Sequence, residues 1–276
     1  MKMKMKKLLC LVLAVVMLVG CFAACGKTET ALNVVAEKES AGEEVILSDD
    51  FFKSANYTAV DTQSKALMEV SSGTADGCVV DYVCSIGMIG EGTDYANLSV
   101  VGKYAFADEQ YGIAFRKGST KTAAAVNAAI NELIQNGKLA EIAAKYKLSE
   151  QIDTTLAQIP ADDTLDTADW EYIKAKGTLV IGITYFEPMN YIDENNELTG
   201  FETEFAKAVC EILGVTPVFQ EISWSAKETE LNAKNIDCIW NGLTITSERQ
   251  ETMELSKPYM NNKQVLVVKA ENVDKY

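Results

Sequence analysis

Short apolar segments alternate with amphipathic segments along most of the chain, and this alternation limits the folds open to it. In the first run, apolar segments predict strands at residues 33–37, 57–60, 77–80 and 98–101. Segments with helical spacing lie between them, at 43–52, 62–70 and 82–89. Strands separated by helices usually pair in parallel, with helices covering both faces of the sheet. The pattern therefore predicts an α/β protein.

A second run, with the same alternation of apolar and amphipathic segments, occupies residues 175–269. It predicts strands at 178–183, 217–222, 236–240 and 264–269, helices at 200–213 and 227–233, and a helical turn beginning near Thr246. Between the runs we expect a strand at 111–116 and helices at 122–135 and 138–146. Residues 151–174 are acidic and weakly periodic, which is typical of a linker.

The charge and the absence of one residue type exclude several functions. The 276 residues carry a formal net charge of -15 and contain no histidine. Nucleic-acid binding needs clustered basic residues, so we expect no nucleic-acid partner. Without histidine the chain lacks the commonest metal ligand and His-based acid–base catalysis. We therefore expect no metal, no cofactor and no catalytic residues.

The N-terminus has the features of a targeting segment. Four lysines among the first seven residues precede an uncharged apolar run at 8–24. Cys21 and Cys25 follow small residues at its end, which resembles the lipobox of a bacterial lipoprotein. Residues 1–25 are thus predicted to be a lipoprotein signal peptide with lipid on Cys21 or Cys25. An uncleaved membrane-spanning helix is the alternative.

The remaining cysteines give no metal-binding or redox motif. Cys78, Cys84, Cys210 and Cys238 each lie in an apolar context, and no pair has CxxC spacing. Buried free thiols are the interpretation these contexts favour, and the spacing leaves a disulfide open.

Several segments together resemble one protein family. They read VVAE at 34–37, SAGE at 40–43, DGCVVD at 76–81, YGIAFRKG at 111–118, GTLVIG at 177–182, FEP at 186–188, GFE at 200–202, DCIWNGLTITSER at 237–249 and SKPY at 256–259. They are similar to the amino-acid-binding family of extracytoplasmic solute-binding proteins of ABC transporters. The resemblance implies a two-lobed α/β fold of the periplasmic-binding-protein type 2 class, with a mixed sheet in each lobe.

The order of these segments differs from that of the family and suggests a circular permutation. Residues 32–102 resemble lobe two, 103–150 the returning segment of lobe one, and 175–276 the first part of lobe one, with the acidic linker 151–174 between. Permutation is tolerated where termini are exposed and close together. We then expect one of the two connections between the lobes to consist of two unjoined chain ends, 265–276 and 31–35. A fragment of a tandem protein is the alternative.

Arg249 and Asp81 are the strongest candidates for contacting a ligand. Thr246 or Ser247 is expected to cap a helix, which places Arg249 in the first turn, where the helix dipole disfavours a cation. A planar guanidinium there suits a carboxylate. Asp81 follows an apolar strand and could cap the next helix. The resemblance implies that Arg249 binds the α-carboxylate of an amino acid and that Asp81 binds its α-ammonium group.

The other candidates come from both lobes. Ser40 and Ala41 stand at an expected helix N-terminus, where free N–H groups suit a carboxylate. By resemblance, Asn241, Gly242 and Thr244 lie at the strand end beside the ligand, and Phe186 and Trp224 sandwich its side chain. Glu37 could receive a basic or amide side chain. Core packing is the alternative for each aromatic ring.

The resemblance implies a non-enzymatic function. The expected protein is an extracytoplasmic, lipid-anchored monomer that binds a polar amino acid and delivers it to an ABC-transporter permease. Arginine, lysine, glutamine and other polar amino acids stay open as ligands. The alternatives are a ligand-sensing domain and a dehydratase-like enzyme on the same fold, although no nucleophile–base pair is evident in the sequence.

Overall fold

The structure, a computed structural model, describes residues 31–155 and 165–276. The predicted signal peptide and both candidate lipidation sites lie outside these residues. In the described part of the chain, no helix has the length and apolar character needed to cross a membrane.

Nine helices are present in the described residues. They are α1 (Ala41–Ser48), α2 (Gln63–Ser72), α3 (Tyr82–Met88), α4 (Thr120–Gln135), α5 (Lys138–Lys145), α6 (Ala168–Lys176), α7 (Phe201–Leu213), α8 (Lys227–Asn232) and α9 (Ser247–Thr252).

Eleven strands accompany them in the same residues. They are β1 (Asn33–Glu37), β2 (Asn56–Val60), β3 (Gly77–Asp81), β4 (Leu98–Arg116), β5 (Thr178–Ile183), β6 (Tyr191–Ile192), β7 (Leu198–Thr199), β8 (Thr216–Glu221), β9 (Cys238–Thr244), β10 (Met253–Leu255) and β11 (Met260–Lys269).

One mixed sheet runs through the described residues. Its strand order is β2-β1-β3-β11-β4-β9-β5-β8, with β10 paired to β4, while β6 and β7 form a separate hairpin. Strands β1, β2 and β3 pair in parallel, as do β5, β8 and β9, whereas β4 and β11 are antiparallel to their neighbours. We call the half built on β1–β3 lobe two and the half built on β5, β8 and β9 lobe one. The predicted α/β class is confirmed.

Both connections between the lobes are continuous strands. At one end of β11, Met260 pairs with Tyr111 of β4, and at the other end Lys269 pairs with Leu98. The prediction of two separate strands at 98–101 and 111–116 was therefore wrong, because β4 continues through both lobes. The expected connection made of two loose chain ends was also wrong, since β11 crosses by itself and β1 lies wholly within lobe two.

Local signals explain most helix boundaries. Thr62 caps α2 by accepting a hydrogen bond from the Lys65 N–H at 3.0 Å, and Gly73 ends it in a left-handed conformation. The predicted helix at 43–52 is shorter in the structure. It stops at Ser48 because Asp49 is extended and its carboxylate accepts from the Phe51 N–H at 2.8 Å, which starts a separate 3₁₀ turn.

The predicted linker contains the start of a packed helix. Helix α6 begins at Ala168, and its Ile173 is buried against lobe one. The Asp169 carboxylate accepts a hydrogen bond from the Thr122 N–H in the first turn of α4, at 2.7 Å. Through this hydrogen bond the acidic residue Asp169 joins α6 to α4, so the end of the predicted linker is part of the fold.

The largest cluster of buried apolar side chains in the described residues runs through both lobes, from α2 and β3 to β5, α4 and α7. A smaller lobe-two cluster is made by β1, β3, α1, the 3₁₀ turn and β11, and another in lobe one lies between β9 and α8. Leu32 and Tyr276 both pack against the same lobe-two cluster. Residues 32 and 276 thus lie in the same lobe. The circular permutation stays a prediction.

All four cysteines of the described residues are buried and free. They are Cys78, Cys84, Cys210 and Cys238. Burial raises the pKa of the Cys210 thiol to about 12. The prediction of buried thiols is confirmed.

Candidate functional site

A small cavity lies between the two lobes, and all the sequence-predicted ligand contacts line it. The space in it that the centre of a water molecule can occupy is about 10 Å³, room for about one water molecule. The predicted residues that line it are Glu37, Ser40, Ala41, Asp81, Phe186, Trp224, Asn241, Gly242, Thr244 and Arg249. The sequence did not single out Gln63, which also lines it. The predicted residues thus converge on one place, although they come from distant parts of the chain.

The lobe-one wall is the carboxyl end of β9 followed by α9. Thr246 caps α9 by accepting from the Arg249 N–H at 3.1 Å, so the expected cap is found at Thr246. Arg249 is only 7% exposed, and its Nη1 donates to the Thr244 carbonyl at 2.8 Å. Among the described residues this is the one hydrogen bond of the guanidinium. The remaining donors of its planar fork are available to an anion in the cavity.

A buried carboxylate supports the backbone of this wall. Glu202, at the start of α7, accepts hydrogen bonds from the Gly242 N–H at 2.8 Å, from the Asn190 amide at 2.9 Å, and from the Tyr259 hydroxyl. Burial raises its pKa to about 7, and these donors oppose the rise. Asn241 belongs to the same network, because its Oδ1 accepts from the same Asn190 amide at 3.0 Å and also from the Thr184 N–H at 2.9 Å. The strand end is therefore held without any ligand.

Gly242 makes the cavity possible. Its φ is +58°, a left-handed conformation that disfavours other residues. A Cβ built there would lie 2.7 Å from the Phe186 ring and 3.2 Å from the Tyr111 ring. The absent side chain thus lets Phe186 approach the strand end, where its ring faces the cavity.

The lobe-two wall is made by the ends of β1 and β3 and the start of α1. Ser40 caps α1 by accepting from the Glu43 N–H at 3.2 Å. Glu37 is buried at the end of β1, and among the described residues no group donates a hydrogen bond to its carboxyl. Burial, and then the nearby Asp81 charge, raise the pKa of Glu37 to about 8. These two effects favour the protonated form of Glu37.

Asp81 does not cap the helix that follows it, so that alternative was wrong. The Val83 N–H of α3 instead donates to Asn262 Oδ1 at 3.2 Å, and the Asp81 side chain makes no capping bond. Asp81 Oδ1 accepts from the Asn262 and Gln264 amides at 2.6 and 2.7 Å. Its Oδ2 accepts from the Gln63 amide. The carboxylate is oriented into the cavity by side chains of both lobe two and the connecting strand β11.

The lobes also touch each other at the edge of the cavity. The carbonyl oxygen of Glu39 in lobe two accepts hydrogen bonds from Trp224 Nε1 at 3.2 Å and from Lys227 Nζ at 3.3 Å. Lys227 stacks over the Trp224 ring, 4.8 Å from its centroid, and burial lowers the pKa of its ammonium group. These contacts describe a closed arrangement, in which Trp224 bridges the lobes as well as lining the cavity.

Three side chains in or behind the cavity walls had no recognisable sequence signal. Gln63 stands in the first turn of α2, where a polar residue is ordinarily solvated. Glu202 was identified only as part of a GFE motif, and Glu109 lies within a strand whose continuation was not predicted. The pairing of β11 with both β3 and β4 brings Glu109 close to Asp81.

Comparison with known proteins supports the resemblance. Residues 179–274 match the bacterial extracellular solute-binding proteins, family 3. The L-cystine-binding protein TcyJ of Escherichia coli (strain K12) is 34% identical over 88 residues, 32% of this chain and 33% of that protein. The L-cystine-binding protein TcyA of Bacillus subtilis (strain 168) is 32% identical over 115 residues, 41% of this chain and 42% of that protein.

Solved structures give similar partial matches. The histidine-bound substrate-binding protein of an ABC uptake transporter from Streptococcus pneumoniae is 36% identical, with a TM-score of 0.30, over 32% of this chain and 36% of that one. The chain spans about a third of the length of TcyJ and 42% of TcyA. The matched segment contains β5, β9, α9 and β11, and with them Phe186, Gly242 and Arg249. Residues 179–274 are thus similar to the bacterial extracellular solute-binding proteins, family 3.

Proposed function

We propose that the protein binds one polar α-amino acid between its two lobes and delivers it to an ABC-type importer. The observation that carries the proposal is the pairing of Arg249 and Asp81 across one closed cavity. Arg249 offers free donors from lobe one, and Asp81 offers a carboxylate from lobe two. A zwitterion with a carboxylate at one end and an ammonium at the other complements both charges.

The cavity also favours a class of ligand side chain. Glu37 lines the cavity, and among the described residues no group donates a hydrogen bond to its carboxyl. A ligand that brings an ammonium, guanidinium, imidazole or amide group would supply this donor. Two relatives are named as L-cystine-binding proteins, and cystine carries a second amino group. We therefore propose a ligand with a hydrogen-bond donor in its side chain.

The proposed setting is the outer face of the cell membrane. The basic and apolar N-terminal residues followed by Cys21 and Cys25 support export and lipid attachment at one of these cysteines. The family is extracellular by its description. A lipid anchor would keep the binding protein close to the importer that it supplies, and we propose that it does so as a monomer without enzymatic activity.

A thermal-shift screen tests the proposal directly. The probes are L-arginine, L-lysine, L-histidine, L-glutamine and L-cystine, followed by the other standard amino acids. A ligand at 100 times its Kd should stabilise the protein by about 2.7 kcal/mol. For each amino acid that binds, its α-amide and its deaminated analogue serve as matched controls, and both should bind far more weakly. If no amino acid raises the melting temperature, the proposal is wrong.

A further inference from the structure

Behind Asp81 lies a half-buried carboxyl group, Glu109, that the ligand-binding proposal does not use. Glu109 is on β4, and Asp81 ends β3, so β11 runs between them. Asn262 of β11 pairs with Glu109, and Gln264 of β11 pairs with Asp81. Residues two apart on a strand project from the same face. The sheet register therefore brings the two amides and the two carboxyls together.

The hydrogen bonds show that the carboxyls form one unit. Asn262 Nδ2 donates to Asp81 Oδ1 at 2.6 Å and also donates to Glu109 Oε1. Gln264 Nε2 donates to the same two oxygens, each at 2.7 Å. The orientation of the Asn262 amide is fixed because its oxygen accepts from the Val83 N–H. Two amide groups thus bridge one oxygen of Asp81 and one oxygen of Glu109.

The surroundings disfavour two negative charges in this unit. In addition to burial, the Asp81 charge raises the pKa of Glu37, Cys84, Glu109, Tyr111, Glu202 and Tyr259, while the cationic Arg249 lines the same cavity from lobe one. Burial, and then the Asp81 charge, raise the pKa of Glu109 to about 8. Two adjacent carboxylates in a buried site hold a proton for the same reason in other proteins.

We propose that Asp81 and Glu109 share one proton in the ligand-free protein, and that an ammonium group bound at Asp81 takes its place. The ammonium neutralises the Asp81 charge that holds the proton on Glu109, so the pair loses one proton to solvent as it gains one cationic group. Glu109 is then a positioning residue. It acts on the ligand only through Asp81 and the two amides of the connecting strand β11. We call the replacement of the proton by a ligand ammonium group the exchange. The exchange rests on the proposed function, whereas the shared proton of the ligand-free protein does not.

The shared proton can be tested without any ligand, from the pH dependence of unfolding. If Glu109 is protonated in the native state up to about pH 8 and only to about pH 4.5 when unfolded, the native protein holds an extra proton in that window. Its stability should then fall with rising pH more steeply than that of Glu109→Gln, by a slope equivalent to about one proton. The exposed neighbour Asp108 provides the matched control, and Asp108→Asn should keep the wild-type slope.

A second variant covers the case in which Glu109→Gln does not fold. Asp81 also raises the pKa of Glu37, so this variant is made in a Glu37→Gln background. There Asp81→Asn removes the charge that helps to hold the proton on Glu109, and its slope should be shallower than that of Glu37→Gln. Equal slopes in each variant that folds and in its parent protein would overturn the shared proton.

The exchange is tested by calorimetry of L-arginine and L-cystine near neutral pH, in two buffers that differ in ionisation enthalpy. The wild type should release more protons per bound ligand than Glu109→Gln, and Asp108→Asn should match the wild type. Equal proton release in all three proteins would overturn the exchange. If neither these two nor any other standard amino acid binds, the proposed function and the exchange both fail, while the unfolding experiment still decides the shared proton.

Discussion

The two walls of the cavity are held in different ways. In lobe one, the Glu202 network fixes the strand end at Asn241 and Gly242 from within the lobe, and Arg249 keeps most of its donors free. In lobe two, the Asp81 carboxylate already accepts three hydrogen bonds, two of them from the connecting strand β11. One wall is thus complete by itself, and the other depends on the strands between the lobes.

This difference indicates a division of roles. A wall that is prearranged within one lobe can hold a ligand before the lobes close, since its donors need no reorganisation. A carboxylate that is tied to the connecting strand changes its surroundings when the lobes move. We therefore expect lobe one to supply most of the affinity, and lobe two to link ligand binding to closure and to pH.

The largest expected effect is that of Arg249→Ala on affinity. Loss of a buried, charge-assisted contact should weaken amino-acid binding by about 2–5 kcal/mol. Arg249→Lys keeps the charge but loses the planar fork, so its affinity should be intermediate. Calorimetric titration measures the affinity, and circular dichroism checks that both variants are folded. Unchanged affinity in a folded Arg249→Ala protein would show that Arg249 does not bind the amino acid and that lobe one does not supply most of the affinity through it.

The next effect concerns the glycine of the lobe-one wall. Gly242→Ala combines a left-handed backbone with a clash against Phe186 and should destabilise the protein by about 2–4 kcal/mol. Gly214→Ala is the matched control, because its φ is +68° and no atom lies within 4 Å of the added Cβ. The control should cost only about 1 kcal/mol. Urea unfolding measures both, and equal costs would show that the close approach of Phe186 does not matter.

On the lobe-two side, the expected effect is a pH dependence. The folded-state pKa of Glu37 is about 8 and its ordinary value is 4.5, so the native state binds an extra proton between these values. The stability from this group is complete below about pH 4.5 and is lost as the pH rises towards 8. Its slope should reach about 1.4 kcal/mol per pH unit, and Glu37→Gln should remove it. A Glu37→Gln protein whose unfolding free energy keeps the wild-type pH dependence would contradict this assignment.

The smallest effect compares two helix caps. Thr246→Ala and Thr62→Ala each remove a hydroxyl that accepts from a helix N–H, so each should cost about 1 kcal/mol of stability. Thr246 caps the helix of Arg249, whereas Thr62 caps α2 in lobe two. Only Thr246→Ala should also weaken amino-acid binding, because the first turn of α9, which contains Arg249, loses its cap. Equal affinities in the two variants would mean that the cap does not position Arg249.

The sequence by itself determined the local elements and much of the candidate site. The strand at 178–183 and the helices of both runs agree with the structure to within a few residues, because apolar periodicity, Thr caps and Gly stops act over one or two turns. The ten candidate contacts line a single cavity for a related reason. Eight of them were placed at the end of a strand or the start of a helix, and in an α/β sheet such ends meet at one edge. Phe186 and Trp224 came from the resemblance alone.

Only the tertiary structure decided how the lobes are joined and what surrounds each charge. Residues 102–110 contain no apolar run that predicts a strand, and they are extended because β11 supplies the hydrogen-bonding partner. Asp81 lacks a capping role because Asn262, far away in sequence, takes the Val83 N–H. The raised pKa values of Glu37 and Glu109 likewise depend on burial and on Asp81. A pKa reflects the solvent and charges around a group, and those are set by strand pairings between residues too distant in sequence for any local pattern to report.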